Sequence, residues 1–436
     1  MLFRFSLYGF LKNQQYFEPF ILLALLDMGL SFTVIGGLIG LREVLRNLAE
    51  VPSGAIADLM GRRGSLLFSF ACYIVSFSLL GLTSLYAQDQ SVLVTAIMIA
   101  FAFALYAFGD AFRSGTHKAL IFNWLRQNGR TDERTRVYGY TRSWSKLGSA
   151  LSVVLACLLV YWFDDYTWIF FLSIPPFVLN MLNVGNYPKE LDGQPHEGRV
   201  KFSEVVAHLR DAFALVFTRP ALRRLMFESM SFEGYFKASK DYLQPILKIA
   251  AIPLAVVLFS DLDLSEVQAS VILIGPVYFL LFLGSAVASR QAHRLVKLAG
   301  GEEAATRLMW LILAGLFVVL LPALYLGLQT LAIVALVGYH FLQNVWRPVY
   351  VGRIDSHGEE DKGATLLSIQ SQAQSLATMI FAPLLGLAID LTVDRSTDLA
   401  DLDVAAFWPI AVVGILVTLV FVRRPQTSEE PRPVGL

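Results

Sequence analysis

The sequence predicts an all-α polytopic membrane protein with twelve transmembrane helices in two six-helix pseudo-repeats. Three observations predict it. Apolar stretches long enough to cross a bilayer recur along all 436 residues. Basic and acidic residues segregate into alternate connections. A short pattern near the start of the first half returns at the same offset in the second.

Composition fixes the solvent. The chain is 56% hydrophobic and 16% charged, with a mean hydropathy of +0.57. A water-soluble domain carries about 25% charged residues, so this chain has too little polar surface for water alone. The formal net charge is zero and gives no argument for a nucleic-acid partner. Cys72 and Cys157 lie in apolar runs and read as packing residues. No metal-ligand spacing, disulfide framework or cofactor motif occurs. The apolar N-terminal stretch lacks a small-residue cleavage site and reads as a retained helix.

The expected spans, in chain order, are about 4–27, 33–57, 65–84, 92–122, 135–162, 167–186, 222–249, 266–289, 304–326, 329–351, 363–389 and 405–422. The connections test this count. One alternate set holds Arg62 and Arg63, then Arg126 and Arg130, the 189–224 segment, Arg290 and Arg294, Arg353, and Arg423. The other set holds Asp89, Asp164, Asp261 and the acidic stretch from Asp390 to Asp403, with Arg395 as its only Lys or Arg. The positive-inside rule then puts both termini and the central connection in the cytoplasm.

The chain divides into an N-terminal six-helix bundle at 1–187, a cytoplasmic linker at 188–221, a C-terminal bundle at 222–424 and a tail at 425–436. Within the linker, Phe202, Val205, Val206, Leu209 and Phe213 recur at helical spacing, which predicts an amphipathic helix on the inner membrane surface. The halves repeat: Tyr16-Phe17-Glu18-Pro19 in the first span answers Tyr242-Leu243-Gln244-Pro245 in the seventh, and Arg113 answers Arg347.

Between spans 2 and 3 runs Gly54-Ala-Ile-Ala-Asp58-Leu-Met-Gly61-Arg62-Arg63. So short a link forces its two spans to run antiparallel, and its glycines allow a sharp turn or close approach. This stretch resembles the signature loop of the major facilitator superfamily of transporters, and the resemblance extends over nearly the whole chain. The second copy keeps Gly284 and Arg290 but has Ala288 where the first has Asp58. The resemblance implies a secondary transporter working by alternating access. It also implies that Gly54, Asp58, Gly61, Arg62 and Arg63 form a gate that holds one face shut in one state.

Charges inside the membrane are costly, so they are expected to face a cavity or a partner. Arg113 and His117, four apart, are expected on one helix face, as are Arg142 and Lys146. Together they suggest a basic inner wall in the first half. Asn344, Gln370, Gln372 and Gln374 suggest a polar amide wall in the second, where only Arg347 keeps the charge of its counterpart Arg113. Arginine forks match carboxylates and phosphates, so the expected substrate is a small anionic or zwitterionic solute. The competing account is that Asp110, Glu43 and Glu50 neutralise these bases in fixed pairs, with Arg46 and Glu50 paired along one helix.

Glu18 and Asp241 are the candidate coupling carboxylates, because desolvation disposes a membrane-embedded carboxylate to take up a proton. Lys237 stands one turn from Asp241 as its structural partner. Proton coupling is the default expectation. No phosphate-binding loop occurs, so no ATP-driven step is implied. The six histidines are scattered and no catalytic constellation emerges, so the chain is not expected to be an enzyme. The alternative reading is a broad-specificity efflux pump, or a lipid or amphiphile translocase, on the same fold. A monomer in a bacterial inner (plasma) membrane is expected. The partners are the small-molecule substrate, protons and the lipid bilayer.

Overall fold

The computed structural model describes residues 1–114, 116–130, 133–192, 218, 220–357, 363–393 and 402–422. The expected linker helix, the whole tail and most of the acidic stretch after Asp390 lie outside the described residues. So do several side chains within helices, among them that of Asp58.

The described residues are almost entirely helical. In chain order the helices are α1 (Leu2–Lys12), α2 (Ile21–Asp27), α3 (Phe32–Met60), α4 (Arg62–Leu85), α5 (Val92–Arg113), α6 (Thr116–Gln127), α7 (Arg134–Phe163) and α8 (Thr167–Gly185). Next come α9 (Pro220–Ser229), α10 (Tyr235–Ser239), α11 (Leu243–Leu258), α12 (Glu266–Ala299), α13 (Glu302–Tyr325), α14 (Gln329–His357), α15 (Gly363–Asp390) and α16 (Trp408–Val422). Among the described residues, nine helical segments are long and apolar enough to cross a membrane. The other three expected spans are helical too, and each has a reason for lower hydropathy. The first is broken between α1 and α2. The second, α3, carries Arg42, Glu43, Arg46 and Glu50. The tenth, α14, carries His340, Gln343, Asn344 and Arg347. The segments that look least like membrane helices are those that carry polar chemistry.

The first and seventh spans share a broken design. Residues 13–20 separate α1 from α2, with turn hydrogen bonds such as Glu18 N to Gln15 O at 3.2 Å. In span 7 the break is a 3-10 turn, Lys240–Tyr242, between α10 and α11. Each break has a proline: Pro19 lies within the first, just before α2, and Pro245 lies in the first turn of α11, where its missing N–H costs little. Span 7 has a second irregularity, one π-helical turn at Met230–Gly234.

The fourth span also departs from expectation. It is two helices, because α5 ends at Arg113 and its cap, Ser114, turns to ψ 126°. Arg113 and His117 are therefore not on one continuous helix face, and the four-residue spacing does not apply across the break.

The chain forms two compact units, Met1–Val200 with Leu247–Leu283, and Lys201–Ile246 with Gly284–Leu436. In the first unit α4 packs against α5 and α8, α3 against α5, and α1 against α7 and α8. Residues 247–283 join this unit through polar contacts: Tyr166 Oη lies 3.2 Å from Ser270 Oγ, and Gln268 Nε2 donates to Tyr161 O at 3.0 Å. In the second unit α13 packs against α14 and α16, and α15 lies along the π turn and α10.

Candidate functional site

Two arginine–carboxylate centres stand out, one in each unit. They are built differently.

In the first unit Asp110 is the hub. It lies one turn before Arg113 at the end of α5, so α-helical spacing brings the two together. Arg113 Nη2 donates to Asp110 Oδ1 at 2.6 Å, and Arg113 Nε donates to Tyr73 Oη at 3.1 Å. The Tyr73 hydroxyl donates in turn to Asp110 Oδ1 at 2.7 Å. On the other oxygen, Arg46 Nε of α3 stands 3.8 Å from Asp110 Oδ2. Glu43 extends the chain, 4.0 Å from Arg46 and 3.7 Å from Arg42. Arg46 thus pairs with Glu43 and Asp110, whereas the sequence suggested Glu50. The buried Glu50 Oε2 has no hydrogen bond. Arg113 is held in the paired arrangement that was its competing account.

His117 is not beside this pair as a free base. Its ring stacks on Tyr8 at 3.5 Å between centroids, meets the edge of Phe5, and lies 3.3 Å from Tyr187 Oη. Arg142 and Lys146 are exposed on α7. Glu18 is close enough to Lys12 and Lys146 to act on both electrostatically. Lys12 was legible only as an interruption in an apolar stretch.

In the second unit the hub is Glu233, on the π turn. Gly234 lets this turn lie against α15, because a Cβ there would come 2.5 Å from that of Ala377. Glu233 Oε2 accepts from Arg347 Nη1 at 2.9 Å and from Gln374 Nε2 at 2.5 Å. Glu233 Oε1 is buried and has no hydrogen-bond partner. The burial is lopsided: the Glu233 side chain is 2% exposed and that of Arg347 is 59% exposed. Gln370 and Gln374 both donate to Ser229 Oγ, at 3.0 and 2.8 Å. These amides therefore brace the carboxylate and its neighbour. Asn344 ties α14 to α12, donating to Ser285 Oγ at 3.0 Å. Asp241 pairs with Lys240 at 2.8 Å, in the 3-10 turn that follows α10.

A second cluster lies nearby in this unit. Arg353 is 3% exposed and reaches Glu228 at 2.6 Å and Glu303 at 2.7 Å, while Arg224 holds the other Glu228 oxygen at 2.9 Å.

The signature loop closes as tightly as its spacing requires. Gly61 is the only residue between α3 and α4, at φ 81°, a conformation glycine adopts without strain. Arg62 donates to Ala119 O of α6 at 3.5 Å, and Arg63 donates to Gly185 O at the end of α8. Both arginines cap backbone acceptors within the unit. Gly54 lies within α3, as does Asp58.

A family model described as Major Facilitator Superfamily matches residues 10–383. The chain is a member of the major facilitator superfamily. No curated protein matches it significantly in sequence. Solved superfamily structures match in fold. A mutant of the nucleoside transporter NupG superposes with a TM-score of 0.71 at 11% identity, covering 96% of this chain and 98% of that one. A D-xylose-proton symporter gives 0.66 at 13% identity, covering 97% and 96%. A mutant of the peptide transporter POT gives 0.65 at 12% identity, covering 97% and 93%. At these identities the likeness establishes the fold and leaves the cargo open. As a superfamily member the chain is an integral multi-pass membrane protein and a transporter of the general class.

Proposed function

We propose that this superfamily member moves a small anionic or zwitterionic solute by alternating access, coupled to protons, in a bacterial inner membrane, as a monomer with both termini cytoplasmic. The observation that carries the reading is Arg347. Its side chain is 59% exposed while that of Glu233, which anchors it, is 2% exposed. An anchored fork with open donors suits a substrate carboxylate or phosphate.

The proton enters at Glu233. Its Oε1 is buried without a donor, which leaves that oxygen able to hold a proton. A neutral Glu233 would hold Arg347 less tightly and release its fork to an anionic group. The charged and titratable groups around it are Arg347 and Tyr350 of α14, Lys237 of α10 and Glu228 of α9, with the neutral amide of Gln374 from α15. Glu18 and Asp241 remain secondary candidates, each beside a lysine's charge. The Gly54–Arg63 loop, with Asp58 in it, is assigned to gating.

A thermal-shift screen on the purified protein tests the substrate class. Organic anions and zwitterions should stabilise the wild type and lose that effect in Arg347→Ala. Equal stabilisation of both proteins by cations or neutral amphiphiles would overturn the anionic reading in favour of a broad-specificity efflux pump or amphiphile translocase.

A further inference from the structure

We infer that the first unit carries its own binding site for an oxyanion, a carboxylate or phosphate, at the ammonium of Lys12 and the hydroxyl of Tyr106.

Lys12 is the last residue of α1. It shares a helix face with Tyr8, four residues earlier. Tyr8 stacks on His117, and the charge of Arg113 acts on both Tyr8 and Lys12, so this face looks into the unit. Lys12 is half-buried, and among the described residues its ammonium has neither a hydrogen bond nor an ion pair. The ammonium is not sealed, so a ligand can reach it.

The unit does not supply the missing counter-charge. Asp110 acts on Lys12, but Arg113 already holds it at 2.6 Å and Arg46 stands 3.8 Å away. Glu18 acts on Lys12 and also on Lys146, which stands beside Arg142. The carbonyl end of α1 offers only about half a charge. Lys12 lies about 12 Å along α1 from Arg4, at a depth where an ammonium without a counter-ion is costly.

Tyr106 provides a second donor. It lies on α5, one turn before Asp110, and the charges of Arg113, Asp110 and Glu18 act on it as they do on Lys12. Phe17, in the break that follows Lys12, meets the Tyr106 ring edge-on at 6.0 Å. The tyrosine is half-buried, and among the described residues its hydroxyl makes no hydrogen bond.

These groups select their ligand. A cation is repelled by Lys12, and a neutral solute leaves the ammonium without a counter-charge. A carboxylate or phosphate can accept from the ammonium and the phenol through separate oxygens. A phospholipid phosphate stays at headgroup level, so the anion comes from water. The site does not depend on the reading of Arg347. It does bear on Glu18, which competes with the anion for Lys12.

The test uses full-length protein in phosphatidylcholine nanodiscs. Phosphate, sulfate, acetate and succinate are the probes, against chloride at constant ionic strength. At least one oxyanion should raise the unfolding midpoint of the wild type saturably, beyond the effect of chloride. Lys12→Met should be more stable than the wild type without oxyanion, because an uncompensated cation is gone, and should weaken oxyanion binding at least tenfold. Lys12→Arg should keep binding, Tyr106→Phe should weaken it severalfold, and Glu18→Gln should tighten it. Arg347→Ala distinguishes the sources. Binding that survives there belongs to an anion of the first unit alone, and binding lost there as well as in Lys12→Met identifies the transported solute as the ligand. The absence of any saturable oxyanion effect, or an equal effect in Lys12→Met, would overturn the site. If Lys12→Met does not yield folded protein, reductive methylation of the wild type decides. The stabilising oxyanion should slow modification of Lys12, read by peptide mass spectrometry, and an unchanged rate would overturn the site.

Discussion

Arg347 and Glu233 form an ion pair at 2.9 Å in which one partner is open and the other sealed, 59% against 2% exposed. The same atom of Glu233 also accepts from Gln374, so one carboxylate oxygen carries both contacts and the other carries none. Removing either member should have unequal effects. Arg347→Ala strands a buried carboxylate and should cost about 3–5 kcal/mol of stability at neutral pH. The deficit should shrink toward acid, because a proton on the stranded group removes the buried charge. Glu233→Gln should be milder in stability and should abolish uptake driven by a pH gradient while leaving solute exchange intact. Unfolding midpoints across a pH series, with gradient-driven uptake in proteoliposomes, measure both. Undiminished gradient-driven uptake in Glu233→Gln would move the proton site elsewhere.

Asp110 should be the most sensitive residue of the first unit's network. It balances Arg113 on one oxygen and Arg46 on the other. Asp110→Asn removes hydrogen bonds to a charged group and should cost about 1.5–3 kcal/mol, against about 0.5–1.5 for Tyr73→Phe. Thermal unfolding of the two variants side by side checks the order. An equal or reversed ranking would show that the tyrosine, not the aspartate, holds the centre.

The Arg353 cluster predicts strong coupling between substitutions. Arg353→Met leaves Glu228 and Glu303 without their shared cation and should cost about 3–5 kcal/mol. Adding Glu228→Gln should return part of that loss, because the second change removes a buried carboxylate that is then left with Arg224 alone. A double-mutant cycle read by thermal unfolding gives the interaction energy, expected between about 0.5 and 3 kcal/mol. Simple additivity would mean that the pair contributes nothing beyond packing.

A cysteine placed at Asn128, in the exposed end of the α6–α7 connection, tests membrane orientation. The native Cys72 and Cys157 are buried, which keeps background labelling low. A membrane-impermeant maleimide should react from the cytoplasmic side only. Reaction from outside would invert the positive-inside assignment.

The fold was largely legible because hydrophobic length and charge sign are summed over many residues. A run of 20 apolar positions tolerates errors of a few residues, and the signature loop adds fixed spacing. Side-chain pairings were less legible, because they depend on helix register, and register shifts at irregularities. The break after Arg113 took His117 off its expected face, and the 3-10 turn brought Lys240, its neighbour in sequence, onto Asp241. Glu233 was missed although a signal existed. It is a carboxylate inside an apolar span, the kind of residue that membrane energetics marks as functional. The repeat drew attention instead to the Gln244-Pro245 pair, eleven residues further on. A π turn has no clear sequence signature, so the turn that aims Glu233 was not readable in advance.

Gly61 has a mechanical consequence. A single residue joins α3 to α4, so the junction has no slack, and a tilt of one helix must be transmitted to the other. Arg62 and Arg63 extend the linkage to α6 and the end of α8. This end of the unit therefore works as a lever with fixed gearing. Lengthening the junction by two or three flexible residues would introduce backlash, uncoupling the stroke of α3 from its neighbours while leaving the bonds around Asp110 in place.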